Sequence, residues 1–227
     1  MIQVVLENEH FIFCDKESGT LTTPSRFEEK DSRKCLGLEL QSTLGQQIYP
    51  IHRLDFEVSG LVMFAKTAEA HRKGNHWFEH RYLQKTYRAL TTTQDFSHIP
   101  EQILNPRQKI NLQTEKHFEW KARILRGKRR AYESTVGKPS LTLAHFIGFS
   151  DQGWIRWDLK PVTGRSHQLR FDLSRHGFPI LGDTIYGSNV KWKDHAIALR
   201  AFQIDFSKIE DRELWKLPKV IEVPGNF

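Results

Sequence analysis

Val4-Val5-Leu6 and Phe11-Ile12-Phe13-Cys14 are short apolar runs separated by the polar stretch Glu7 to His10, and Asp15-Lys16-Glu17-Ser18-Gly19 follows as a turn. That pattern predicts a β-hairpin. From Ser32 to Leu44 the period changes. Leu36, Leu40 and Leu44 recur at helical spacing, with Asp31 or Ser32 placed to cap the start and Gly45 to end it. The apolar stretch Leu61 to Ala65 predicts a strand. A second helix is expected from Thr67 as N-cap to about His80, with Ala70 and Trp77 inward and Arg72 and Lys73 outward. Tyr87 falls on a short strand over Thr86 to Leu90. Residues 91 to 116, polar and containing Pro100 and Pro106, read as a crossing segment between two halves. Beyond it, Phe118 to Leu125, Leu141 to Phe149, Trp154 to Leu159 and Ile197 to Phe206 show alternation or enrichment in β-branched and aromatic residues. Ser166 to His176 is helical in pattern and stops at Gly177. Strands and helices do not alternate strictly, so a largely antiparallel α+β sheet is expected rather than a doubly wound one.

Composition narrows the class. A chain of 227 residues, 38% hydrophobic and 11% aromatic, can bury a real core, and this excludes a disordered chain. Lys+Arg 34 against Asp+Glu 27 gives a formal net charge of +7, so the surface attracts polyanions. Cys14 and Cys35 are the only cysteines, at a spacing that suits neither a metal knuckle nor a disulfide framework. The N-terminal residues lack a basic segment followed by a long apolar run, and no stretch approaches the ~20 apolar residues of a membrane span. A reducing, cytoplasmic setting without membrane contact is expected.

The candidate chemistry centres on Tyr49-Pro50-Ile51-His52-Arg53-Leu54-Asp55-Phe56-Glu57-Val58-Ser59-Gly60-Leu61. Here one carboxylate follows a cation and precedes a Ser-Gly break into an apolar strand. Such a carboxylate can serve as nucleophile, base or ligand, and the residues alone leave that choice open. Three further stretches carry chemistry-bearing residues: Lys85-Thr86-Tyr87-Arg88-Ala89, Gly164-Arg165-Ser166-His167-Gln168-Leu169-Arg170, and Gly177-Phe178-Pro179-Ile180-Leu181-Gly182-Asp183 with Tyr186-Gly187. Between two expected strands lies the densest basic run, Lys121 to Arg130, whose Arg126, Lys128, Arg129 and Arg130 are placed to clamp a phosphate backbone.

In this order, the His-Arg-Leu-Asp loop, the Lys-x-Tyr-x-Ala segment, the Gly-Arg-x-His-Gln segment and the Gly-Asp-x-x-Tyr-Gly segment resemble the motifs of the RluA family of pseudouridine synthases, which isomerise uridine within RNA. The resemblance implies one catalytic domain over residues 1–227, with halves of roughly 1–100 and 101–227. Its fold would be a mixed, largely antiparallel, bifurcated sheet flanked by helices, with the active cleft between the halves. It implies Asp55 as the catalytic carboxylate, Arg165 as its electrostatic partner, and Tyr87 as a stacking and proton-relaying residue. Leu169 would wall the base pocket. Arg53 would fill the stack vacated by an extruded uridine, with His52 making a nearby backbone or loop contact. The expected partner is RNA, either 23S rRNA or tRNA, acted on by a monomer without metal or organic cofactor. No small S4-type RNA-binding domain is expected before residue 1.

The chain departs from the family pattern at Glu17, where Pro is usual, at Val58, where Thr is usual before Ser-Gly, and at Arg200, where Leu-His-Ala is common. Two other classes compete: a catalytically idle RNA-binding protein or folding helper on the same scaffold, and a metal-dependent hydrolase using Asp55 with His52. For the hydrolase no third and fourth ligands stand at a convincing spacing.

Overall fold

A computed structural model describes residues 2–25, 31–99, 107–113 and 116–227. The chain forms two compact units. The first comprises 1–85, 194–196 and 200–226; the second comprises 86–193, 197–199 and 227. The break falls at Lys85 and Thr86, and the C-terminal strands return to the first unit, where a division by chain position placed it near residue 100.

In the first unit, β1 (Gln3–Glu7) and β2 (Phe11–Lys16) form the expected hairpin. The side chain of Asn8 closes its turn by accepting the amides of His10 and Phe11, both at 2.8 Å. β2 pairs antiparallel with β4 (Ser59–Ala65), which also pairs with the two-residue β3 (Tyr49–Pro50). The other edge of β4 pairs in parallel with β10 (Leu199–Asp205), and β11 (Val220–Glu222) closes antiparallel on β10. Phe11, Phe13, Leu61, Met63, Trp77, Ile204, Phe206 and Ile221 fill the core on one face of this sheet.

Two helices accompany these strands. α1 (Leu36–Leu44) ends at Gly45 in the left-handed conformation, φ 64°, as its sequence suggested. Its start differs from expectation. Neither Asp31 nor Ser32 caps it, because Cys35 bridges to Leu21 and the Leu36 amide donates to the Leu21 carbonyl. The chain before Leu36 is thereby held extended, and Asp31 pairs with Arg33 instead. α2 (Ala68–Glu79) begins where Thr67 Oγ1 accepts the Ala70 amide at 3.1 Å. It turns Ala70, Gly74 and Trp77 inward. Cys14 and Cys35 are free and buried, and burial pushes the Cys14 thiol up to about 12.

In the second unit five antiparallel strands run in the order β5 (Gln84–Thr91), β9 (Ile155–Pro161), β8 (Lys138–Phe149), β6 (His117–Arg126) and β7 (Ala131–Glu133). Trp157 on β9 is fully buried among Trp120, Phe146 and Phe178, and its Nε1–H donates to Thr91 Oγ1. α3 (Gln168–Arg175) is buried along its whole length. It is shorter than its pattern suggested, because His167 takes a left-handed φ of 55° and delays the first helical residue. Part of the crossing segment, including Pro100 and Pro106, lies outside the described residues. Around it, Gln94 donates to the carbonyls of Gln108 and His176 and accepts the Ile110 amide, which ties the flanking chain to the end of α3. The pairings described here are antiparallel except that of β4 with β10, in keeping with the mixed α+β class.

Candidate active site

Asp55 sits at the tip of the excursion between β3 and β4. The excursion is rooted by the Ile51 amide on the Met63 carbonyl at 3.1 Å, and its tip is closed by the Val58 amide on the Asp55 carbonyl at 3.1 Å. Both neighbours of Asp55 are clamped. On one side Leu54 exchanges two bonds with Thr22: its amide donates to Thr22 Oγ1 and its carbonyl accepts from the same hydroxyl, each at 3.1 Å. On the other, the Phe56 carbonyl accepts the Gly19 amide at 2.9 Å and stands 3.5 Å from Lys16 Nζ. The Phe56 ring has the Arg33 guanidinium 4.9 Å from its centroid and meets the ring of His195 edge-on at 5.9 Å. Pinning both adjacent peptides fixes the backbone from which the Asp55 carboxylate projects, and this narrows its reach as nucleophilic or basic catalysis requires.

The motif's glycine has a packing reason. Gly60 adopts φ 113° opposite Ala201 of β10, and a Cβ there would lie 2.0 Å from the Ala201 carbonyl oxygen. Only glycine lets β4 approach β10 immediately after the Asp55 loop. Two of the three departures are absorbed locally. Val58 is buried and still closes the turn through its amide. Arg200 binds the carboxylate of Asp15 and donates its Nε–H to the Pro224 carbonyl, so its added charge faces a carboxylate.

Lys16 is the residue the sequence reading passed over as part of a turn. Its side chain is 1% exposed, and its ammonium donates to the carbonyls of Glu17 at 2.9 Å and Thr20 at 2.8 Å as well as reaching Phe56. Burial pulls its pKa down to about 8, while Asp55 and Glu57 act in the opposite direction and favour the cation. A signal was available: the alternation along β2 places Lys16 on the same face as Ile12 and Cys14, which are buried.

His52 and Arg53 diverge. His52 is buried, and its Nε2 accepts the Met63 amide at 3.3 Å, so the ring braces the root of the loop. Burial, with a smaller contribution from Lys85, holds its pKa well below the ordinary imidazole value, and the ring is neutral. Arg53 is exposed.

In the second unit, Tyr87 stands opposite Leu159 of β9 and is 6% exposed. Arg88, on the other face of β5, forms a two-pronged bond with Asp158 at 2.8 and 3.0 Å. The Gly164 to His167 loop is organised from below by Gln168. Its Oε1 accepts the Arg165 amide at 3.0 Å and the Thr163 hydroxyl at 2.8 Å, and its Nε2 donates to the Leu141 carbonyl and Thr142 Oγ1. Arg165 Nε–H donates to the Pro139 carbonyl at 3.0 Å, which fixes the plane of its guanidinium. Thr142 Oγ1 in turn donates to Asp172 at 2.6 Å, and burial raises that carboxyl to about 7. Leu169 is buried at the start of α3.

Arg126, Lys128, Arg129 and Arg130 are exposed at the turn joining β6 and β7, closed by the Gly127 amide on the Arg130 carbonyl. The base of this hairpin is tied to the Arg165 loop. The Tyr186 hydroxyl accepts the Ala131 amide at 2.6 Å and lies 3.2 Å from His167 Nδ1. Arg170, in the first turn of α3, makes a buried two-pronged bond to Asp183 at 2.7 and 2.8 Å and steadies the same region. Among the described residues no three His, Cys, Asp or Glu side chains gather as metal ligands. No helix among them is long and apolar enough to cross a membrane.

A mixed α+β sheet, an aspartate loop clamped ahead of a buried strand and a Gly-Arg-x-His-Gln loop ahead of a buried helix define a scaffold of the pseudouridine synthase class. Residues 10–175 match the family model described as RNA pseudouridylate synthase, and the chain belongs to that family. The dual-specificity RNA pseudouridine synthase RluA of Pasteurella multocida is 30% identical over 206 residues, covering 90% of this chain and 86% of that protein. RluA of Escherichia coli O157:H7 is 33% identical over 191 residues, covering 82% of this chain and 77% of that one. The tRNA pseudouridine synthase C of Pectobacterium carotovorum is 27% identical over 201 residues, and there the chain spans about half, 48%, of the relative's length. Among solved structures, human RNA pseudouridylate synthase domain containing 1 has the same fold, with a TM-score of 0.68 at 22% identity over 91% of this chain and 78% of that one.

Proposed function

We propose that this protein converts specific uridines in structured RNA to pseudouridine, with Asp55 as the catalytic carboxylate. The observation that carries the reading is the double clamp on Asp55, Leu54 held by Thr22 and Phe56 held by Gly19 and Lys16, within residues that match the family model. In the reaction the bond from N1 to C1′ breaks, the base turns, and C5 bonds to C1′. The proton leaves C5 for solvent and N1 gains one, so no oxidant or external group is consumed. Asp55 takes part by adding to C6 of the base, by adding to C1′, or by removing the C2′ proton.

Arg165 serves as the cation that keeps the carboxylate ionised and aimed. Tyr87 offers a face to the uracil ring and a hydroxyl for proton transfer. Leu169 lines the base pocket, and Arg53 fills the vacated stack. For His52 the support favours a bracing role in the loop over contact with RNA, since its ring is buried against Met63. The exposed cations at 126–130 contact phosphates. The substrate is tRNA or 23S rRNA, in line with the dual specificity named for the RluA relatives. The setting is cytoplasmic and the protein monomeric.

The test is incubation of unmodified tRNA and 23S rRNA transcripts, tritiated at C5 of uridine, with and without chelator. Release of tritium in both arms, with pseudouridine mapped at discrete positions, is the expected result. RNA binding without release would favour the idle RNA-binding scaffold, and release abolished by chelator would contradict the metal-independent route.

A further inference from the structure

The C-terminal end of α2 carries a surface that none of the roles above uses. His76 and His80, one helical turn apart, have ring centroids 4.0 Å apart. Tyr82 lies 5.7 Å from His80 with rings inclined at 25°, and 5.8 Å from His76. All three rings belong to exposed residues, as are Arg72 and Arg81. The helix is stopped by the Tyr82 amide on the Trp77 carbonyl and the Arg81 amide on the Phe78 carbonyl. Arg81 takes φ 58° in the same turn. Residues 71–85 hold Arg72, Lys73, Arg81 and Lys85 against the single carboxylate of Glu79, and Lys73 is bonded to Asp211. Cations interleaved with exposed aromatic rings suit a polyanion that carries flat bases, because each base can stack whatever its identity while the phosphates meet the cations.

The helix that carries the patch also packs on the root of the aspartate loop within the same unit, through the opposite face, where Gly74 and Phe78 stand. Gly74 permits a close crossing of α2 over the root of the loop, where a Cβ would lie 2.6 Å from Ile51 Cδ1. One turn further along, Phe78 packs its ring 5.2 Å from that of His52, and the Lys85 ammonium lies 5.2 Å from the centroid of the same Phe78 ring. The chain from His52 to Asp55 therefore starts beneath the end of α2.

We propose that the end of α2 holds the single-stranded segment of RNA flanking the target uridine, with a base stacked on the His80 and Tyr82 rings and its phosphates on Arg72 and Arg81. This rests on the reading of the protein as an RNA-modifying enzyme, and it adds a contact surface that governs how tightly RNA binds rather than how it reacts.

Two measurements test it. First, unmodified tRNA and 23S rRNA transcripts containing 4-thiouridine are photo-crosslinked to the intact protein; a crosslink within residues 76–82 is expected. Second, the variant Tyr82→Ala with Arg72→Gln and Arg81→Asn is compared with the parent; Asn is chosen at 81 because it tolerates positive φ. Its Kd and KM for those transcripts should rise roughly tenfold or more, and its salt slope should flatten by about one for each phosphate no longer neutralised, with kcat at saturating RNA unchanged. Crosslinks confined to other segments, a parent-like Kd and salt slope, or a fall in kcat with KM unchanged would each overturn the platform while leaving the enzyme reading intact. A parent protein that neither binds nor modifies any transcript would overturn both.

Discussion

Lys16 shows how much of the loop around Asp55 depends on one buried cation. Its ammonium is bonded to the carbonyls of Glu17 and Thr20 and reaches that of Phe56, so Lys16→Met strips a donor from partly buried carbonyls as well as a charge from the neighbourhood of Asp55. The expected cost is about 1–3 kcal/mol of stability for the unsatisfied groups. Turnover should fall more than RNA affinity, read from denaturant unfolding beside tritium release and RNA titration. Parent-like turnover in a folded Lys16→Met protein would remove Lys16 from the loop's function. Arg165 is anchored differently, through Nε–H on the Pro139 carbonyl and its amide on Gln168. Arg165→Met should leave unfolding unchanged within about 1 kcal/mol, since the residue is only partly buried, and should cut turnover severely. Arg165→Lys should restore part of it, because an ammonium supplies the charge without the planar fork. Turnover near the parent's in Arg165→Met would rule out its partnership with the carboxylate.

At the scale of elements, the buried face of α3 sets a measurable pH dependence. Asp172 is fully buried, and burial raises its carboxyl to about 7 from an ordinary 3.8. Between those values the folded state binds the proton and the unfolded state does not. Stability from this group therefore falls as pH rises through that window, and the cost of the buried charge is fully present above about 7. His176, pulled down to about 3 by burial, acts in the opposite sense, because the unfolded chain binds its proton first as pH falls through the ordinary imidazole range. The two are separated by difference. The stability of Asp172→Asn minus that of the parent should increase from pH 5 to pH 8, by an amount on the order of 1 kcal/mol or more. A difference that is flat across this range would contradict the assignment. The hairpin between β6 and β7 makes the companion case. Replacing Arg126, Lys128, Arg129 and Arg130 by Gln should weaken RNA binding and flatten its salt dependence by roughly one for each phosphate released from a cation, with kcat at saturating RNA little changed. An unchanged salt slope would take the hairpin out of the interface.

Across the whole molecule, what could be read from the sequence followed the range of the interactions involved. Local signals held: Thr67 caps α2, Gly45 ends α1, and the Val4 to Cys14 pattern forms its hairpin. Helix starts set by a long-range bond or by an unusual backbone conformation were misplaced. α1 begins at Leu36 because Leu21 bonds to its first amide, and α3 begins at Gln168 because His167 is left-handed. The parallel pairing of β4 with β10 joins segments far apart in the chain and leaves no local trace except Gly60, whose need is apparent only beside Ala201. In the site, the motifs drew attention to Asp55, Tyr87 and Arg165. The alternation of β2 marked Lys16 for burial and a motif contained Gln168, but Thr22, Lys16 and Gln168 bond mainly to backbone atoms, and a backbone partner has no signature in sequence, so their bracing role was not legible.

The account turns on Asp55 supplying chemistry while the surrounding cations and rings supply binding, and Asp55→Asn separates the two because it keeps the side chain's size and removes its negative charge. The measurement is tritium release from C5-labelled uridine in tRNA and 23S rRNA transcripts, run beside an RNA-binding titration at fixed salt. Essentially complete loss of release, with RNA affinity held or slightly raised as one charge repelling phosphate disappears, is the predicted result. Release at the parent's rate from Asp55→Asn would contradict it.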